Sequence, residues 1–205
     1  MYFAKSPNWL KAFFPSLVWK ISKAENTIYL TFDDGPEPSV TPWVLSVLKE
    51  YNAKATFFCI GDNVRKYPET YQQILNEGHA VGNHTYNHLN GWKSNSKKFI
   101  KNVEECAKYV SSKLLRPPYG RIKPRQIRLL KEQNYKIIMW DVVSGDFDTN
   151  TMPDECLNNV IKHTENGSIV VFHDSVKAST NLYFSLPLFL KHFTVRGYKF
   201  DILTA

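Results

Sequence analysis

Cysteine is scarce. Cys59, Cys106 and Cys156 are the only three in 205 residues, an odd number at wide spacings, which excludes a disulfide framework and predicts buried free thiols of the kind a reducing compartment tolerates. No Pro-, Gly- or Ser-rich stretch separates two halves of the chain and no internal repeat is present, so it reads as one domain, too short for two of ordinary size. No apolar run is long enough to cross a bilayer. The opening stretch, "MYFAKSPNWLKAFFPSLVWKIS", is interrupted by Pro15 and followed by no small-residue cleavage site, which makes it a poor signal peptide. Residues 1–26 are expected to pack on the underside of a domain spanning 27–205. The alternative is an interfacial anchor through Trp9, Phe13, Phe14 and Trp19. As the chain stands, a cytoplasmic location follows; removal of a leader would make it secreted or periplasmic.

What is present is a globular composition, 43% hydrophobic and 22% charged, with a formal charge of +7, so disorder is excluded and a polyanionic partner has to be weighed. The densest basic segment, "RPPYGRIKPRQIRLLKEQ", reads from Lys123 onward as the solvated face of an amphipathic helix with Ile127 and Leu130 inward. It carries no nucleic-acid reader motif, and no nucleic-acid partner is expected.

Strand-length apolar runs alternate with segments of helical period. "TIYLTF" precedes a helix over 39–51 with Ser39 as N-cap. "KATFFCI" precedes a helix over 69–76 that stops at Gly78. "HAVGNH" precedes a helix within 96–111, and "LLRPP" the basic helix. "YKIIMWDV" reads as one strand before a helix over 153–163. "GSIVVFHD", a helix over 186–193 and "YKFDIL" complete the chain. This alternation predicts an α/β fold: a distorted or incomplete (β/α) barrel of parallel strands with outer helices. In such a barrel the C-terminal strand ends share one rim, where active sites form. Asp33, His84, Asp141 with Asp146 just beyond, and His173 all fall at such ends.

Asp33 and Asp34 stand side by side in "TFDDGP", and adjacent carboxylates ask for a cation or a donor. His84 and His88, four apart in "HTYNH", would lie on one side of a helical turn or compact loop, as a divalent metal requires. Together they make a two-histidine, one-carboxylate site with an open position. One aspartate ligates; the other stays free.

These residues resemble the polysaccharide deacetylases of the NodB-homology type, carbohydrate esterase family four, through five ordered motifs: "TFDDGP", "HTYNH", "RPPYG", "DVVSGDFD" and "IVVFHD". The resemblance implies a distorted barrel and a metal-dependent hydrolase that removes N-acetyl groups from N-acetylglucosamine residues of a glycan such as peptidoglycan or chitin oligomers. An O-acetyl xylan esterase and an inactive sugar-binding barrel are the alternatives. It implies Asp34, His84 and His88 as ligands of a divalent ion, zinc first, with cobalt, manganese or nickel as substitutes. Asp33 would be the general base, held by Arg116. The Tyr119 backbone N–H would stabilise the oxyanion, and His173 would be the general acid. Asp146 fills the place of its carboxylate partner, with Asp141 the rival. Phe147 and Val171 would line the acetyl pocket beside Tyr119, where the family more often has tryptophan and leucine. Asp174 reads as structural; His79, His163 and His192 match no motif. The loops "NGWKSNSK" and "SVKASTNLY" are expected to flank the cleft.

Overall fold

The computed structural model describes residues 3–21 and 25–204. Eight parallel-paired strands, β1 (Thr27–Asp33), β2 (Ala55–Cys59), β3 (Ala80–Asn83), β4 (Leu114–Leu115), β5 (Lys136–Ile137), β6 (Val142–Val143), β7 (Ile169–His173) and β8 (Lys199–Phe200), form one sheet. The helices are α1 (Asn8–Phe13), α2 (Thr41–Glu50), α3 (Gly61–Lys66), α4 (Pro68–Asn76), α5 (Ser96–Cys106), α6 (Pro124–Glu132), α7 (Pro153–His163) and α8 (Ser179–Thr194). Strands buried on both faces read as continuous apolar runs, and all five residues of β2 are buried.

Strand order is β5-β4-β3-β2-β1-β7-β6, with β8 added beside β1. The two edge strands, β5 and β6, are consecutive in sequence, joined only by residues 138–141. Laid flat, seven strands would hold the edges ~29 Å apart at ~4.8 Å per step, whereas that connection reaches at most ~18 Å. The sheet must therefore curl. This also explains why "YKIIMWDV", expected as one strand, is two: its middle has to cross from one edge of the sheet to the other.

The seam between those edges is sealed by the N-terminal segment. Val18 N–H donates to Ile137 O at 2.9 Å and Met139 N–H to Val18 O at 2.7 Å on the β5 side; Ser6 N–H donates to Asp141 O at 2.8 Å and Val143 N–H to Ala4 O at 2.9 Å on the β6 side. Unpaired edge groups that would otherwise be exposed are thus satisfied. The segment expected underneath the domain runs from that lower end, where Ile21 N–H donates to Gly167 O, up to the rim, where Phe3, Ser6, Pro7 and Leu10 line the central cleft.

Two apolar layers follow from strand alternation. Phe32, Phe57 and Phe172 pack between the sheet and its outer helices, while Phe58, Leu114, Ile138 and Ile169 fill the inside of the curl. The three cysteines are buried and free. Ser39 is not the cap of α2: Val40 holds that position without a side-chain bond, and the Ser39 hydroxyl donates to the Glu37 carboxylate instead. Helix α8 begins at Ser179 and runs through Pro187, with a 3-10 turn over Val176–Ala178 before it, so all of the loop expected at 175–183 except Ser175 is helical. Helices α1 and α3 were not anticipated.

Phe189 is fully buried and its ring meets Phe172, Phe193 and Phe200 at 5.7, 5.0 and 5.9 Å. Phe189→Ala should cost about 3–5 kcal/mol, read as a lower urea midpoint at unchanged m-value.

Candidate active site

Thr31 and Asp33 on β1 face the inside of the curl, and Arg116, at the end of β4, reaches them from across it. Arg116 has no solvent exposure. Its guanidinium donates to Asp33 Oδ1 at 2.7 Å, Thr31 Oγ1 at 2.8 Å, Met139 O at 3.0 Å and Ile138 O at 3.4 Å, and its Cζ lies 4.2 Å from the Phe58 ring centre. Burial pushes the Asp33 carboxyl up, but Arg116 first, with His84 and His173, outweighs it, so Asp33 stays below the usual carboxylate range. The two prolines after Arg116 fix the backbone that aims it.

Asp34, His84 and His88 place three ligand atoms within 4.8 Å of one another. Asp34 Oδ1 lies 3.6 Å from His84 Nε2 and 3.2 Å from His88 Nε2, and this oxygen is buried with no hydrogen-bond partner among the described residues. His84 Nδ1 sits 2.8 Å from Arg116 O; a carbonyl can only accept, so the proton is on Nδ1 and the Nε2 lone pair faces Asp34. Burial lowers His84 to about 4, in keeping with a neutral imidazole. An orphaned carboxylate oxygen converging with imidazole nitrogens fits a divalent cation. The pair of histidines sits in a compact loop, not a helical turn: Thr85 and His88 take left-handed φ values of 64° and 58°, and Asp34 has φ 82°. Such strain persists only when neighbours over-determine it. Here Asn83 Oδ1 accepts from Thr85 N–H, Thr85 Oγ1 from Leu89 N–H, and Asn63 Nδ2 donates to Asp34 O. Helix α3 contributes further, with Gly61 N–H and Asp62 N–H donating to Thr85 O and Tyr86 O.

His173 is the register partner of Asp33 on β7. Its Nδ1 lies 2.7 Å from Asp146 Oδ1, and Asp146 Oδ2 accepts the His173 backbone N–H at 2.8 Å. Burial alone would lower the imidazole; Asp146 first, with Asp34 and Asp33, outweighs it and raises His173 to about 9. Asp141, the rival partner, is committed elsewhere, accepting from Lys11 Nζ and from Ser168 Oγ. Asp174, pushed up to about 8 by burial, accepts from Gly35 N–H at 3.0 Å and from the Thr41 hydroxyl at 2.6 Å. A Cβ on Gly35 would stand 2.1 Å from Asp174 Oδ2, so only glycine lets the carboxylate grip this turn. Asp174 thereby fixes the chain just after Asp33 and Asp34.

A family model described as polysaccharide deacetylase matches residues 20–138, more than half of the chain. The chain belongs to the polysaccharide deacetylase family. It is 34% identical over 190 residues to a peptidoglycan-N-acetylglucosamine deacetylase of Bacillus cereus, covering 90% of this chain and 89% of that one. It is 32% identical over 162 residues to a chitooligosaccharide deacetylase of Azorhizobium caulinodans, covering 76% and 77%. A solved peptidoglycan N-acetylglucosamine deacetylase in complex with 4-naphthalen-1-yl-N-oxidanyl-benzamide superposes with TM-score 0.84 at 32% identity, covering 97% of this chain and 95% of that one. A family pseudoenzyme from Bacillus anthracis, 22% identical with TM-score 0.79 and coverage of 92% and 68%, shares the fold alone. Fold does not carry activity; the residues of the site must.

In this member of the family the expected residues Asp33, Asp34, His84, His88, Tyr119, Phe147, Val171 and His173 all line one cleft of about 570 Å³. Phe147 meets the His173 ring at 5.1 Å edge-on, and the Tyr119 ring lies 4.5 Å from that of His88, its backbone at φ 61°. The sequence reading missed the remainder of the lining, which includes Leu10, Trp19, Met139, Trp140 and Val143. Of the expected flanking loops, Ser175 and Lys177 line the cleft. Trp92 does not; its indole donates to Ile122 O.

Because His173 is raised above its ordinary 6.5, its ion pair stabilises fully below that pH, and the contribution is lost as pH rises through about 9. Replacing Asp146 by Asn should lower the His173 titration from about 9, since burial is then opposed only by the weaker pull of Asp34 and Asp33; imidazole NMR against pH reads this directly.

Proposed function

We propose that this chain hydrolyses the N-acetyl group of N-acetylglucosamine residues in peptidoglycan or chitin-type oligomers. The observation that carries the reading is the pairing of opposite shifts around one triad: an acidic group held ionised by Arg116 and an imidazole held protonated by Asp146, both lining the cleft that contains Asp34, His84 and His88. Separated acid and base of this kind are what amide hydrolysis needs near neutral pH. The names of the two curated relatives, each an amino-sugar deacetylase, support the substrate class.

Asp34, His84 and His88 would hold a divalent cation, zinc by family resemblance. When bound, such an ion supplies Lewis acidity that acidifies water and polarises an acetyl carbonyl. The remaining work belongs to the side chains. Asp33 takes the proton from the attacking water, and Arg116 keeps its carboxylate ionised and aimed. The backbone N–H of Tyr119 faces the charge that develops on the carbonyl oxygen. His173, anchored at Nδ1 by Asp146, presents Nε2 and gives its proton to the departing amine. Phe147 and Val171 bound the acetyl methyl.

Acetate release from peptidoglycan, chitin oligomers and acetylated xylan, measured side by side with zinc or cobalt supplied, tests the assignment; release from none of them would remove it. Asp33→Asn should retain zinc by calorimetry while losing at least ~10²-fold in kcat, whereas Asp34→Ala should lose the metal itself. The alkaline limb of kcat/KM against pH should fall where His173 deprotonates, near 9, and undiminished rates well above that pH would take His173 out of the acid role.

A further inference from the structure

The wall that would touch the acetyl methyl does not end there. Val171 on β7 is the register partner of Val143 on β6, and Val143 is in turn hydrogen-bonded through its N–H to Ala4 O of the N-terminal segment. Two strand-to-strand steps of ~4.8 Å thus lead from the acetyl site to Ala4, next to Phe3, and Phe3, Pro7, Leu10 and Met139 line the same cleft. Along this path the side-chain hydroxyl, that of Ser6, is already donated to Trp140 O at 2.7 Å. The amines of this segment turn away, Lys11 to Asp141 and Lys5 to Glu165, and the cations that line the cleft, Arg121 and Lys177, lie on other segments. A sugar ring there would lose hydration of its hydroxyls without replacement; an alkyl chain would lose nothing. The cleft, about 570 Å³, is far larger than an acetyl group, given that one water takes ~30 Å³.

We propose that this apolar arm receives N-acyl chains longer than acetyl, so that the protein also hydrolyses butanoyl to hexanoyl amides of amino sugars. The inference rests on the deacetylase reading above. The chemistry is the same and balances: water oxygen bonds to the acyl carbon, the C–N bond breaks, the nitrogen leaves as amine with the proton from His173, and the fatty acid leaves as carboxylate. The N-terminal segment is then a determinant of acyl length as well as a seal on the seam.

Zinc-loaded protein is given glucosamine oligomers bearing N-acetyl, N-butanoyl or N-hexanoyl groups, and each released acid is quantified. The expected result is a hexanoyl kcat/KM within about ten-fold of acetyl, where a site closed around the methyl group would discriminate by ~10–200-fold for a single methylene. Leu10→Trp, which fills the arm, should lower the hexanoyl-to-acetyl ratio by about ten-fold or more. In metal-free protein, calorimetry should find the N-hexanoyl oligomer bound more tightly than the N-acetyl one. Acetate without hexanoate overturns the arm and leaves deacetylation standing; neither acid overturns both. Hexanoate release with a ratio unmoved by Leu10→Trp, or equal affinities in the metal-free protein, also overturns it.

Discussion

The Asp33–Arg116 pair is the interaction on which the rest of the site depends. A guanidinium without solvent access survives only if every face is engaged, and Arg116 achieves this with a carboxylate, a hydroxyl, two carbonyls and an aromatic ring. Its backbone carbonyl simultaneously takes the Nδ1 proton of His84. One residue therefore sets the charge of the acid beside the triad and the tautomer of an imidazole within it. The side chain spans the inside of the sheet from β4 to β1, so the pair can exist only if the sheet is curled. Geometry of fold and electrostatics of site are the same constraint.

The curl has its own cause and its own consequence. The four-residue passage from β5 to β6 draws the sheet edges together but does not hydrogen-bond them, which leaves a seam. A chain segment from the N-terminus fills it from both sides, anchored by Lys11 and Lys5 on the buried carboxylate of Asp141. Asp141 thus serves the seam, and Asp146, five residues on, serves the imidazole. Asp141 closes the β5–β6 passage and Asp146 follows β6, but with "YKIIMWDV" read as one strand both fell near its end, which is why sequence position alone left the two interchangeable.

Much of this was legible in the chain. Strand-length apolar runs ending in acids and histidines are a direct record of a parallel sheet whose rim carries chemistry, and the five motifs named Asp33, Asp34, His84, His88 and His173, which line one cleft, with Arg116 and Asp146 buried behind it. What escaped was non-local. Nothing in "YKIIMWDV" announces that its middle crosses between edges, because the cause is the order of strands elsewhere. The last helix, expected over 186–193, begins at Ser179 and carries Pro187 inside it. Ser39 has the right chemistry for a cap, but Glu37 claims its hydroxyl. The aromatic N-terminus was read by composition, which carries no direction, so its route to the rim was invisible.

The adjacency of Asp33 and Asp34 finds its explanation in backbone geometry. Along a strand, successive side chains point to opposite faces, so two neighbouring carboxylates could not both enter one cleft if β1 simply continued. The strand ends at Asp33, and the left-handed φ of Asp34 redirects the chain so that its side chain turns toward His84 and His88 while Asp33 keeps facing Arg116. Holding that turn takes Asn63 on the Asp34 carbonyl and Asp174 on Gly35. Two like charges thereby share a site without sharing a role, because each is turned toward a different partner: a fixed guanidinium for one, converging imidazoles for the other.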